Sequence, residues 1–206
     1  QDAASREALK PFLRGEDLRP WYQEDEGRWL ILIPSGWTAS RIGGKADEVR
    51  AWGEFNDRLP AIAEYLQPFR ETAVKRQDKG EYWWELRSCA YYGAFEEHKI
   101  VWPDIAKIPR FSFAEPGVYL GNTGYIIPTQ DAYLLGFLQS HATWLSISKI
   151  CLHNKFRGGL WEYRLIYQFL SRLPIPDAPP TEREAIGKLA MDITQRARAR
   201  YALHRQ

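Results

Sequence analysis

Strand-like alternation of apolar and polar residues is densest between positions 98 and 128 (HKIVWPDIAKIPRFSFAEPGVYLGNTGYIIP). Ile100-Val101-Trp102 is an apolar run halted by Pro103-Asp104, and Arg110-Phe111-Ser112-Phe113 alternates as a half-buried strand does. Glu115-Pro116-Gly117 marks a turn. Val118-Tyr119-Leu120 and Tyr125-Ile126-Ile127 predict two strands flanking Gly121-Asn122-Thr123-Gly124, a hairpin-like connection. Earlier in the chain, residues 9–21 predict an extended lead-in with a turn at Gly15, and residues 28–34 (RWLILIP) a buried strand. Residues 35–44 predict a loop, and Tyr82-Trp83-Trp84 either a strand or a buried aromatic lid.

Elsewhere the period is helical. Val49, Trp52 and Phe55 predict one helix and Leu59, Ile62, Leu66 and Phe69 a second, begun at Pro60 and kinked at Pro68. Together they form a helical insertion over about 46–76. Asp131 caps a helix predicted to reach about residue 146, with Leu134, Leu135, Leu138, Ala142 and Leu145 on its apolar face. Residues 154–159 (NKFRGG) predict a loop and residues 161–173 another helix, with Leu165, Phe169 and Leu173 inward. After the rigid break PIPDAPP, Thr181-Glu182-Arg183-Glu184 predicts a capping box opening a last helix. Its narrow stripe of Ile186, Leu189, Ile193, Ala197 and Tyr201 suits docking on a partner helix. These elements predict an α+β fold: a mixed β-sheet with packed helices, organised as residues 1–176 followed by a docking or spacer helix over 177–206.

Composition narrows the class. The 206 residues are 45% hydrophobic and 26% charged, ordinary for a globular domain with a substantial core. No apolar run approaches a bilayer span. Cys89 and Cys151 make no disulfide framework, which predicts a reducing compartment. Net charge is only +2, and residues 1–180 are balanced between cations and carboxylates, so any basic face has to be assembled by the fold. Met191 is the one methionine and the chain opens at Gln1, which predicts a piece of a longer polypeptide.

Motifs for chemistry mostly fail. Gly43-Gly44-Lys45 imitates the end of a phosphate-binding loop, but Ala39 and Ala46 replace the first glycine and the magnesium-binding hydroxyl. Cys151-x-His153 is too sparse for zinc. Asp104 with Glu97-x-Lys99 shares residue types with a metal-dependent nuclease site, but in reversed order. Asp104 is expected to bond backbone amides in its turn, and Arg87 and Arg164 to make structural ion pairs. No Gly-rich methyl-donor loop and no Asn-Pro-Pro-aromatic loop occurs. The expectation is a non-catalytic domain with no metal site and no cofactor of its own.

Six segments in order then carry a resemblance: LKPFLRGEDLRPW, KGEYWWELRSC, HKIVWPDIAKIPRF, GVYLGNTGYIIP, YLLGFLQS and RGGLWEYRLIYQFLSRLPIP. Their succession resembles the TaqI-like C-terminal specificity domain, the target recognition domain of type IIG restriction–modification enzymes and related adenine-specific DNA methyltransferases. The closing LPIPDAPPTEREAIGKLAMDI resembles the approach to the spacer helix of restriction specificity subunits. The resemblance implies sequence-specific reading of duplex DNA in a prokaryotic cytoplasm. It also implies a covalently attached methyltransferase domain using S-adenosylmethionine, in longer members joined to a nuclease. It assigns no base contacts to these positions.

For such a reader, cations and polar groups on loops supply phosphate and base contacts. The expected DNA-binding residues are Arg41 and Lys45 in the Gly-rich loop, Lys107 and Arg110 after the central strand, and Asn122 and Thr123 at the hairpin tip. Lys155, Arg157 and Gly158 complete the set, the glycine letting backbone approach a phosphate. Two rivals stand beside this reading: a domain that docks another subunit, and a nuclease built on Glu97, Lys99 and Asp104.

Overall fold

The computed structural model describes residues 3–204, which form two compact units: residues 3–11 with 29–93, and residues 12–28 with 94–204. In chain order the elements are α1 (Ala3–Glu7), β1 (Leu9–Leu13), β2 (Leu18–Arg19), β3 (Tyr22–Gln23), β4 (Trp29–Ile31), α2 (Trp37–Ile42), α3 (Glu48–Arg58), α4 (Pro60–Leu66) and α5 (Arg70–Ala73). There follow β5 (Lys99–Pro103), β6 (Ile105–Ala106), β7 (Ser112–Ala114), β8 (Tyr119–Leu120), β9 (Gly124–Pro128), α6 (Ala132–Gln139), α7 (His141–Ile150), β10 (His153–Arg157), β11 (Leu160–Arg164), α8 (Tyr167–Leu170) and α9 (Pro180–His204). The fold is α+β, with packed helices and its strands divided among several small sheets.

In the first unit, α2 to α5 enclose an aromatic core. Phe55, Trp83 and Trp84 are buried, with Trp52 stacked on Trp83 at a centroid distance of 4.9 Å. Tyr82-Trp83-Trp84 is therefore a buried lid rather than a strand. Residues 35–44 do not stay a loop: residues 37–42 are helical. The buried Glu85 carboxylate accepts the Gly36 and Thr38 N–H groups at 3.0 and 2.9 Å, satisfying the start of α2, and Gly43 ends it at φ 77°. Pro60 starts α4 and Pro68 lies in a 3-10 turn, as proline geometry dictates. Val49 and Phe69, expected inward, are exposed. The strand expected over 28–34 shortens to β4, where Trp29 is 60% exposed; within the stretch only Ile33 is fully buried.

The second unit is built on β5, whose five residues are all buried and which pairs antiparallel with β7 and β9. Behind it lie Phe111, Leu135, Leu138, Ile147 and Leu165. The expected hairpin across 121–124 does not form: β8 pairs in parallel with β1, while β9 pairs with β5. Gly121 N–H goes to the Leu13 carbonyl and Asp104 N–H to the Thr123 carbonyl, so the segment links two ladders instead of closing one. The predicted 131–146 helix breaks at Ser140, whose hydroxyl accepts the Thr143 N–H and starts α7. Residues 161–173 are not one helix but β11, a loop and the short α8.

Helix α9 packs along α6 through small residues. Gly187, Ala190 and Thr194 are buried, and a Cβ on Gly136 would meet Ile186 at 2.9 Å. Arg183 ion-pairs with Asp131 at 2.7 Å and lies 4.3 Å over the Tyr133 ring. The helix starts at Pro180 with Glu184 paired to Lys188, so the expected capping box is replaced by a helix-face ion pair.

Candidate nucleic-acid interface

Unit 12–28/94–204 carries a cleft of about 650 Å³ at the C-terminal end of β5. One wall is the turn after β1. Asp17, almost fully buried, accepts the Arg14 N–H at 2.7 Å, and both its oxygens take Arg28 Nη1 at 2.7 Å. The opposite wall is the 121–123 link. Gly15 N–H donates to Thr123 Oγ1 at 2.9 Å, and a Cβ on Gly15 would come within 2.2 Å of the Thr123 carbonyl. Only glycine lets these walls approach so closely.

Arg14, Arg110 and Asn122 line this cleft, with Glu16 and Asp104 as its acidic groups. Burial, and then the charge of Arg19, hold the Arg110 guanidinium below its usual pKa, and its buried Nε has no partner among the described residues. Asp104 does not bond turn amides through its side chain. Its Oδ2 pairs with Arg164 at 2.8 Å, the structural ion pair expected for that arginine.

Across β6 the cleft meets a protruding ribbon. β11 pairs with β6 at Tyr163↔Ala106 and Arg164↔Ile105, and β10 pairs with β11. Gly158 and Gly159 turn the chain at φ 61° and 75°, the geometry of a tight two-residue hairpin. The ladder aligns His153 with Tyr163 and Phe156 with Trp161, so Asn154 and Lys155 together face Glu162. This bulge puts Phe156 on the side of Trp161, at a centroid distance of 5.2 Å, and leaves Asn154 bonded to Glu162 on the other. Lys107 Nζ donates to the Arg157 carbonyl at 3.0 Å and lies 3.8 Å from Glu162, bracing the tip. The side chains of Lys155 and Arg157 are exposed and have no partner among the described residues.

Of the residues singled out in the sequence, Arg110, Asn122 and Thr123 meet in the cleft, and Lys107, Lys155, Arg157 and Gly158 meet on the ribbon, all in one unit. Arg41 and Lys45 belong to the other unit. The Arg41 guanidinium stacks 3.9 Å over the Trp37 ring and donates to the Trp37 carbonyl, and Lys45 pairs with Glu81 at 3.2 Å. Arg14, Phe156 and Trp161 were missed. Arg-Gly-Gly-Leu between alternating residues was the available signal for the ribbon.

The nuclease-like residues do not converge. Fully buried Lys99 donates to the carbonyls of Phe95, Glu97 and Glu115 at 2.8–2.9 Å, and Asp104 is taken by Arg164. Among the described residues no cluster of three or more His, Cys, Asp or Glu side chains could hold a metal, and no helix is long and apolar enough to cross a membrane.

No family model and no curated protein sequence matches the chain. Solved structures do. The type IIL restriction–modification enzyme MmeI, solved in complex with DNA, aligns at TM-score 0.62 and 14% identity over 96% of this chain and 24% of its own. The type IIG restriction endonuclease BpuSI aligns at TM-score 0.49 and 16% identity over 90% of this chain and 21% of its own. The chain thus shares its fold with about a quarter of MmeI and spans only that fraction of it.

Proposed function

We propose that this chain is a target recognition domain of the TaqI-like type, reading duplex DNA by sequence without catalysing a reaction itself. In this reading it directs an attached adenine-specific methyltransferase domain, with or without a nuclease, in the cytoplasm of a prokaryote. S-adenosylmethionine then belongs to that attached domain. Residues 177–206 serve as a spacer or docking helix.

The observation that carries the reading is one tract of cations and polar tips on a single unit. It runs from Arg14, Arg110 and Asn122 in the cleft, across Lys107, to Lys155 and Arg157 on the ribbon. A two-stranded ribbon fits the major groove, where arginine on guanine and asparagine on adenine are the informative pairs. Lysine and the remaining arginines supply phosphate contacts and register. The fold shared with a segment of MmeI, an enzyme solved on DNA, supports the same reading.

The test is fluorescence anisotropy of the 206-residue chain with randomised duplex DNA across a salt series, followed by selection of bound sequences. Binding whose logarithm falls linearly with log salt, with one enriched motif, is the expected result. Binding without enrichment reduces the domain to a backbone binder, and absence of binding at low salt overturns the proposal. A second reading rests on α9, where Leu189 is 63% and Ile193 40% exposed: a surface that docks another domain or subunit, insensitive to salt.

A further inference from the structure

The ribbon has two unlike faces, and the cations account for one. Arg157, Glu162 and Arg164 occupy the charged side. On the other side Tyr163 is anchored in the core against Trp144, and Trp161 and Phe156 continue that aromatic row outward to the tip. Phe156 is 59% and Trp161 44% exposed, and His153 packs edge-on to Trp161 at 4.9 Å. Two adjoining large apolar side chains exposed at the tip of a thin hairpin gain by being covered and mark a contact surface. The bulge at Asn154-Lys155 is what brings Phe156 to this side; strict alternation from His153 would send it to the charged side.

The occupant follows from charge. Residues 153–164 carry Lys155, Arg157 and Arg164 against the single carboxylate Glu162, and Lys107 is held against the tip. An aromatic pair on one face, with Lys155 and Arg157 beside it at the same tip and unpartnered among the described residues, matches a polyanion with apolar stacked surfaces inside it, which is duplex DNA.

Resting on the DNA-binding reading, we infer that Phe156 and Trp161 form an apolar wedge that enters the duplex at a base step, unstacking and kinking it while Lys155 and Arg157 hold the flanking phosphates. The glycine turn leaves no side chain at the apex to obstruct insertion. The base step lost to stacking is replaced by ring contacts, and the bend brings backbone toward the cleft cations.

Short duplexes of randomised sequence, labelled at both ends, report the bend by energy transfer on addition of the full chain. Wild type is expected to raise transfer, the sign of a kinked duplex. F156A/W161A is expected to lose that rise and to bind about tenfold more weakly with its salt slope unchanged, since no phosphate contact is removed. F156L/W161L, which keeps an apolar tip, retains part of the rise, separating a wedge from a folding defect. Wild-type binding with a normal salt slope but no change in transfer overturns the wedge alone. Undiminished transfer by F156A/W161A does the same. Absence of any binding overturns both the wedge and the DNA-binding reading.

Discussion

Two segments of this chain look alike in sequence and behave oppositely in structure: Arg41-Ile42-Gly43-Gly44-Lys45 and Lys155-Phe156-Arg157-Gly158-Gly159. Each joins a glycine pair to two cations, and all four glycines have positive φ. In the first, glycine ends a helix whose start is held by buried Glu85, and both cations are consumed locally, Arg41 by the Trp37 ring and Lys45 by Glu81. In the second, glycine turns a ribbon, and both cations stand in solvent without a partner among the described residues. A cation with no acceptor in the fold is free to meet a ligand, and one already paired is less so. Local sequence carries the glycine signal but not every partner: Trp37 is a near neighbour of Arg41, whereas Glu81 reaches Lys45 from a distant part of the chain.

Lys99 sharpens the contrast as a cation wholly absorbed by the fold. Lys99→Met takes the donor from three carbonyls, that of Phe95 buried, with an expected loss of about 3 kcal/mol in urea unfolding. Glu85→Ala removes the acceptor of the Gly36 and Thr38 N–H groups and is expected to cost about 2 kcal/mol, read by the same method. Next in size, K155A/R157A is expected to weaken DNA binding by about tenfold at low salt, while R41A/K45A changes it less than about twofold. Lys99 also carries a pH dependence. Burial pulls the Lys99 ammonium down to about 8, below the roughly 10.4 of an unfolded chain. Between those values the unfolded chain binds more protons, so stability rises with pH. Thermal melts from pH 7.5 to 10 should show wild type gaining on Lys99→Met.

The α+β class and the inward strand β5 were legible because a continuous apolar run bounded by Pro103-Asp104 has few other fates. Most apolar positions of residues 161–173 were also placed inward correctly, but with the wrong period. Leu165, Phe169 and Leu173 repeat every four residues and imitate a helix, while Trp161, Tyr163 and Leu165 repeat every two. The ladder of β6 decided for the strand by giving Tyr163 and Arg164 backbone partners. Helix α9 misled differently. Its large apolar residues drew attention to one stripe, whereas close approach to α6 selects the small residues Gly187, Ala190 and Thr194. Of the candidate interface, Arg110, Asn122, Lys155 and Arg157 were visible as cations and turn residues. Their gathering on one unit was not, because it depends on the link at 121–123 and on β6 pairing with a distant hairpin.

The most direct test of the account is the salt dependence of duplex binding, measured for wild type, R41A/K45A and K155A/R157A side by side. The account predicts a log–log slope shallower by up to about two for K155A/R157A and unchanged for R41A/K45A. Equal slopes for all three proteins, or a loss confined to R41A/K45A, would contradict it.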